Sequence, residues 1–267
     1  MTLLAIYAHP DDEAFGTGGT LARYAAAGVN VHLICTTRGE SGKITDPDID
    51  PDVDVGALRE EELRDACRAL GIHDPIFLGF HDSGRQERTR HDDPQALMNV
   101  DEFEIEEALL PWVIRLQPRV MLTFDPHGAY GHIDHLRTQR AATAAFWSAG
   151  NVVAEPPRRL YYNAMPLERM RELQARRRGG PMAGLDPARF AVSEDSFAAV
   201  LDVGPWLEAK ERAIRSHRSQ VGPNSSFAGR DGEPDAWRAF MSWEAFTLGG
   251  VRGSFPEPPI DDLFVGL

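Results

Sequence analysis

The sequence predicts an α/β fold: a Rossmann-like, mostly parallel sheet with helices on both faces, plus a C-terminal α+β extension. Three observations carry this. Residues 3–8 (Leu-Leu-Ala-Ile-Tyr-Ala) are continuously apolar, as a strand covered on both faces requires. Residues 13–27 place Leu21, Tyr24 and Ala25 at helical spacing and stop at Gly28. Residues 29–37 (VNVHLICTT) then read as a second strand, which completes a βαβ unit.

The rest of the chain extends the alternation. Residues 38–54 are a glycine-punctuated, then acidic and proline-broken loop. Asp50, Asp52, Asp54 and Glu61 imitate part of a calcium-loop pattern, but Gly56 is late and Pro51 intrudes, so a solvated loop is expected. Residues 55–70 form a helix with Leu58, Leu63, Ala66 and Leu70 inward, stopped by Gly71. Residues 75–80 are the third strand. Residues 101–116 are a helix that Pro111 should kink or restart. Residues 119–124 are the fourth strand, followed by a helix over 136–147. Beyond Gly150 the pattern changes. Strands are expected at 160–165 and 197–203, and helices at 167–178, 205–219 and 236–246. No repeat or clear linker is visible. One domain is expected over 1–267, with a core over about 1–150 and an extension or cap over about 151–267.

Composition narrows the function classes. The formal net charge of −13 disfavours nucleic acid and anionic membranes, whose phosphates need basic surface. The two cysteines, Cys35 and Cys67, make neither a disulfide framework nor a thiol-rich metal site and read as buried reduced thiols, which suits a cytoplasmic protein. No signal peptide and no membrane-spanning apolar run is visible. Gly16-Thr17-Gly18-Gly19 is not the G-x-G-x-x-G spacing, and no acidic residue ends strand two, so dinucleotide binding is disfavoured and close packing is expected there.

The chemistry concentrates in two clusters, each at the carboxyl end of an expected strand. Ala8-His9-Pro10-Asp11-Asp12-Glu13 follows strand one, and His132-Ile133-Asp134-His135 follows strand four. His9 and Asp12 are three residues apart, as are His132 and His135. Imidazole and carboxylate are ordinary zinc ligands, and a catalytic zinc takes three with one position open. His9, Asp12 and His135 supply such a set, which also suits Fe(II). Asp11 is then a spare carboxylate placed to take a proton from water. His132 is a spare imidazole that Asp134 is expected to orient and keep cationic, ready for an oxyanion or a leaving amine. The alternative is a capped helix start, with Asp12 as N-cap and Pro10 ending the strand. Two such clusters in one chain are hard to explain by capping. His32 reads as a packed strand residue, His127 as a neighbour of the site, and His217 as a surface or helix-end residue. Glu13 reads as a supporting or helix-start carboxylate.

The two motifs, Ala-His-Pro-Asp-Asp-Glu at 8–13 and Tyr130-Gly131-His132-Ile133-Asp134-His135, resemble the PIG-L/LmbE-like family of zinc-dependent N-acetylglucosaminyl deacetylases. The resemblance spans roughly residues 3–150, with a looser match over Lys210 to Gln220. It implies a Rossmann-like fold and one Zn2+ per subunit on His9, Asp12 and His135, with Fe2+ as the other ion the donors suit. It implies Asp11 as general base, His132 with Asp134 as acid or oxyanion partner, and Tyr130 as a stabiliser of the tetrahedral intermediate. Arg59, in Arg-x-x-Glu-Leu, and Asp82, in Asp-Ser-Gly, match sugar-binding positions. By pattern the chain is similar to deacetylases of low-molecular-weight thiol synthesis, which act on N-acetylglucosamine joined to inositol (mycothiol) or malate (bacillithiol). Gly-Ala-Tyr-Gly-His matches the mycothiol branch. Lys43 stands where that branch carries a second acidic residue, and a cation there suits malate's carboxylates. The implied partner is a small-molecule amino-sugar conjugate, with homo-oligomerisation left open. The competing readings are an amidase on a larger thiol conjugate, a deacetylase of another amino sugar, and a non-catalytic sugar-binding protein.

Overall fold

A computed structural model shows one seven-stranded sheet in the order β3-β2-β1-β4-β5-β7-β6, and describes residues 1–176, 184, 186–223 and 234–267. The strands are β1 (Thr2–Tyr7), β2 (Asn30–Thr37), β3 (Ile76–Phe80), β4 (Val120–Thr123), β5 (Arg159–Ala164), β6 (Ala199–Asp202) and β7 (Trp243–Val251). The first five pair parallel; β7 is antiparallel to both β5 and β6. β1 has β2 on one side and β4 on the other. The winding therefore reverses between β1 and β4, and the crevice beyond their carboxyl ends is where open α/β sheets take ligands.

Alternation along β1 explains why both faces are covered. Leu3, Ala5 and Tyr7 enter one core, with Leu21 of α1 (Asp12–Ala26), Leu63 of α2 (Val55–Leu70) and Ile214 of α7 (Leu207–Ser216). Leu4 and Ile6 enter the other, with Ile105 and Leu109 of α3 (Glu102–Leu116) and Ala141 and Ala145 of α5 (Ile133–Ala149). α2 has the expected limits. The Asp54 side chain accepts from the Ala57 N–H at 2.9 Å, and Gly71 closes the helix at φ 73°. The acidic stretch before it is thus a loop and a helix cap. α3 runs on through Pro111, which is exposed, so the missing backbone bond faces water.

One expectation changes in the C-terminal third. The helix expected over 236–246 ends early: α8 is Pro234–Met241, and Trp243 begins β7. Gly249 and Gly250 disguise that strand as a turn. A Cβ on Gly249 would lie 2.5 Å from the Tyr162 ring, and one on Gly250 would lie 2.6 Å from the Phe146 ring, so both keep a strand backbone close under aromatic side chains. β5, β7 and β6 continue the sheet, and α7 packs on α1 and α2. Of the basic run Arg176-Arg177-Arg178, which the sequence places at a helix end, Arg176 ends α6 (Leu167–Arg176), while residues 177 and 178 and loop residues 224–233 lie outside the described residues. No helix among the described residues is long and apolar enough to cross a membrane.

A buried ion pair ties α7 to β7, and its carboxylate reaches on to α1. Lys210 Nζ lies 2.6 Å from Glu244 Oε1, and Glu244 also accepts the Gly19 and Thr20 N–H groups at 2.9 and 2.8 Å. The contact depends on glycine, since a Cβ on Gly19 would be 2.5 Å from Val203. The Gly-Thr-Gly-Gly run therefore serves close packing. Burial pulls the Lys210 ammonium below its usual range, against the attraction of Glu244. Removing one partner of such a pair strands the other. Lys210→Met is expected to cost about 3–5 kcal/mol, with partial recovery in Lys210→Met/Glu244→Gln. Thermal unfolding of the two variants checks this; an unchanged Tm for Lys210→Met would mean the pair adds nothing.

Candidate active site

The crevice beyond β1 and β4 holds His9, Asp12 and His135. His9 leaves β1, Asp12 opens α1, and His135 sits in the first turn of α5. His9 Nδ1 lies 3.2 Å from His135 Nε2 and 3.4 Å from Asp12 Oδ2, and His135 Nε2 lies 3.3 Å from Asp12 Oδ1. A tetrahedral ion with bonds of about 2.0–2.1 Å needs donor separations of about 3.3–3.4 Å. The outer nitrogens fix the tautomers. His135 Nδ1 lies 3.1 Å from the Gly128 carbonyl, which can only accept, so Nδ1 carries the proton and Nε2 is bare. His9 Nε2 faces Asp134 Oδ2 at 3.1 Å and Asp82 Oδ1 at 3.5 Å, so the neutral ring leaves Nδ1 bare. With His9 neutral, two imidazole lone pairs and a carboxylate converge, which fits a divalent cation.

Without an ion, the charges around the crevice favour a proton in its place. Burial works against a charged His9, but Asp82, Asp12 and Asp134 together hold it well above its usual range. Burial also opposes the Asp12 carboxylate, yet His135 and His9 hold it below the usual range. Burial lowers His135 to about 4, despite the pull of Asp12. Among the described residues, two groups have ligand atoms within 4.8 Å of one another: His9, His132 and His135, and His9, Asp82, His132 and Asp134. His9 cannot give the same face to both groups. The arrangement matches a ligand imidazole supported from behind by carboxylates, which orients the ring and raises its basicity.

That support corrects the expectation for Asp134. It was expected to hold His132 as a cation. Its carboxylate instead accepts from His9 and from the Ser83 N–H at 2.9 Å, because it is fully buried on the inner side of α5. Only its backbone N–H reaches His132, donating to Nδ1 at 3.2 Å, so His132 caps α5. The His132 ring therefore carries its proton on Nε2. Burial, reinforced by His9 and His135, lowers it to about 2, so it is neutral. Its ring centroid lies 4.7 Å from that of His9 and 5.0 Å from that of His135.

Asp11 stands apart from the converging donors. It is the residue before α1 but makes no side-chain cap, and Asp12, the cap of the alternative reading, lies inside α1 and accepts the His9 N–H at 2.8 Å. Arg59 Nη2 lies 3.2 Å from Asp11 Oδ2. Burial raises the Asp11 carboxyl to about 6, against the opposing pull of Arg59.

The expected sugar contacts turn inward. Arg59 is buried, with its guanidinium on the Gly39 and Pro10 carbonyls and on Asp11. Asp82 is buried, with its oxygens on the Gly84 and Ser41 N–H groups. Both therefore shape the loops around the site. Lys43 is exposed. Tyr130 lies on a short turn, α4 (Gly128–Gly131), its ring 5.1 Å from that of His135 and under the Arg85 guanidinium at 5.3 Å. His127 is exposed, its ring 6.2 Å from Phe190.

Two further residues are drawn towards the site, Glu13 as a supporting carboxylate and His217 in a role that the chain pattern did not suggest. Glu13 is buried, accepting the Asp11 N–H at 3.0 Å and facing His217 Nε2 at 2.7 Å. His217 is fully buried, not a surface residue, though it does end α7. Its one sequence signal is its place on the apolar side of a helix. Its partner lies 204 residues away and could not be read from spacing.

Comparison with known proteins bears on this site. The family model described as GlcNAc-PI de-N-acetylase (PIG-L) matches residues 4–146. A protein of Salinispora arenicola, named 1D-myo-inositol 2-acetamido-2-deoxy-alpha-D-glucopyranoside deacetylase, is 37% identical over 286 residues, covering 99% of this chain and 91% of that protein. Among solved structures, N,N'-diacetylchitobiose deacetylase from Pyrococcus horikoshii aligns with TM-score 0.59 at 21% identity, over 92% of this chain and 83% of that one. The 4-carboxy-2-hydroxymuconate hydratase of Pseudomonas putida aligns with TM-score 0.60 at 19% identity, over 95% of this chain and 98% of that one. These two structural likenesses establish the fold alone. A hydratase shares it, so the reaction must be argued from the site.

Proposed function

We propose that this chain, which belongs to the GlcNAc-PI de-N-acetylase (PIG-L) family, hydrolyses the N-acetyl group of an N-acetylglucosamine conjugate in low-molecular-weight thiol synthesis. The observation that carries the reading is the convergence of His9 Nδ1, His135 Nε2 and the Asp12 carboxylate, with the separate carboxylate of Asp11 beside them. A pure sugar-binding protein needs neither Asp11 nor His132.

His9, Asp12 and His135 would hold a divalent ion, which would supply Lewis-acid polarisation of water and of the amide carbonyl. Asp11 takes a proton from the attacking water. It then delivers that proton to the amine nitrogen as the C–N bond breaks. His132 donates from Nε2 to the amide oxygen as that oxygen gains charge, and being neutral it needs no change of protonation to do so. Burial pushes the Tyr130 phenol well above its usual range, so it stays protonated as a second donor.

The conjugate we favour is N-acetylglucosamine joined to inositol, as in the name of the Salinispora relative. Lys43 favours malate instead. The test is acetate release from a panel holding both conjugates, by wild type and by Lys43→Glu. Wild type is expected to turn over the inositol conjugate faster. If Lys43 recognises malate, the variant loses malate turnover selectively; equal malate turnover removes Lys43 from recognition. No acetate from any conjugate would refute the deacetylase reading.

A further inference from the structure

Asp11 has φ 127° and ψ −27°, a backbone conformation that a non-glycine residue adopts only under constraint. Such strain persists only where surrounding contacts over-determine it. Two contacts act here. Arg59 holds the Pro10 carbonyl and the Asp11 carboxylate. Glu13 Oε2 takes the Asp11 N–H at 3.0 Å, while Glu13 Oε1 takes His217 Nε2 at 2.7 Å. A carboxylate with one oxygen on a strained backbone N–H and the other on a buried imidazole is fixed at both ends.

His217 is itself immobilised. It ends α7, which packs on α1 and α2. Ser219 gives its N–H and hydroxyl to Glu62 of α2 at 2.6 and 2.7 Å, and its carbonyl accepts the Thr45 N–H at 2.7 Å. His217 Nδ1 is buried and has no hydrogen-bond partner among the described residues, so the ring's one polar contact is Glu13. Buried charged pairs are weak sources of net stability, which leaves the pair's effect on Asp11 as its distinguishing consequence.

We propose that His217 is a positioning residue for Asp11, acting through the Glu13 carboxylate to hold the Asp11 backbone at positive φ and so aim its side chain. The catalytic consequence rests on the deacetylase reading above; the conformational one does not. The C-terminal third thereby completes the geometry of a site whose other parts lie before residue 136.

The test compares His217→Leu, which fills the space but cannot donate, with His217→Gln, whose amide nitrogen takes the place of Nε2. For the Leu variant kcat is expected to fall about 10- to 100-fold, as small displacements of a reacting group cause. KM and bound metal stay at wild-type values. The Gln variant recovers most of the loss. A crystal structure of the Leu variant shows Asp11 relaxed from positive φ. Wild-type kcat in the Leu variant, or a loss that follows metal content, or a Gln variant as slow as Leu, overturns the proposal. Should the Leu variant not fold, Glu13→Asp keeps the charge and shortens the reach, and the same loss confined to kcat is expected; unchanged kcat there overturns it. If wild type releases no acetate, the functional reading fails, while the Asp11 φ of the variant still decides the inference.

Discussion

Asp11→Asn is expected to retain its metal and lose about 10²- to 10⁴-fold in kcat, the range a positioned general base supplies. Asparagine keeps the shape of the side chain and an oxygen for Arg59 Nη2 at the site of the 3.2 Å contact. It cannot take a proton. Arg59 keeps the Gly39 and Pro10 carbonyls as partners, so the loop geometry survives. Because His9, Asp12 and His135 converge without Asp11, bound metal should be unchanged. The informative comparison is metal per chain against kcat in the same preparation. Near-wild-type kcat would remove Asp11 as the base. A parallel loss of metal would place Asp11 among the ligands.

The sequence pattern carried the core of the fold because buried parallel strands and amphipathic helices announce themselves locally. β1 is continuously apolar since both its faces are covered, and α2 begins and ends where Asp54 and Gly71 say it should. β7 was hidden because its glycines answer to Tyr162 and Phe146, residues far away in the chain. The candidate site divides the same way. Strand-end position and three-residue spacing singled out His9, Asp12 and His135. Spacing could not say which ring nitrogen faces which partner, and there the expectations changed. Asp134 supports His9 across the crevice, not its neighbour His132. Arg59 clamps Asp11 and Pro10. These are properties of side-chain direction, which only packing decides.

His135→Ala is expected to abolish metal binding and with it acetate release, while chelation of the wild-type protein should do so reversibly. Alanine removes one of three converging donors and also frees the Gly128 carbonyl that oriented the ring. The remaining pair, His9 and Asp12, is too few for a catalytic site of three protein ligands. Removing the ion from wild type leaves two bare imidazole nitrogens facing each other at 3.2 Å, a repulsive contact unless a proton replaces the ion. The metal-free protein should therefore melt lower, and added metal should restore it. An ion present at about 1,000 times its Kd contributes about 4 kcal/mol. Asp134→Asn separates ligand from support. It leaves the three donors in place but weakens the charge behind His9, and an affinity loss of about 10- to 100-fold is expected. Titrating Zn2+ and, without oxygen, Fe2+ into all three proteins ranks the ions. If His135→Ala bound metal as tightly as wild type, the converging triad would not be the metal site, and the neighbouring group of His9, Asp82, His132 and Asp134 would take its place.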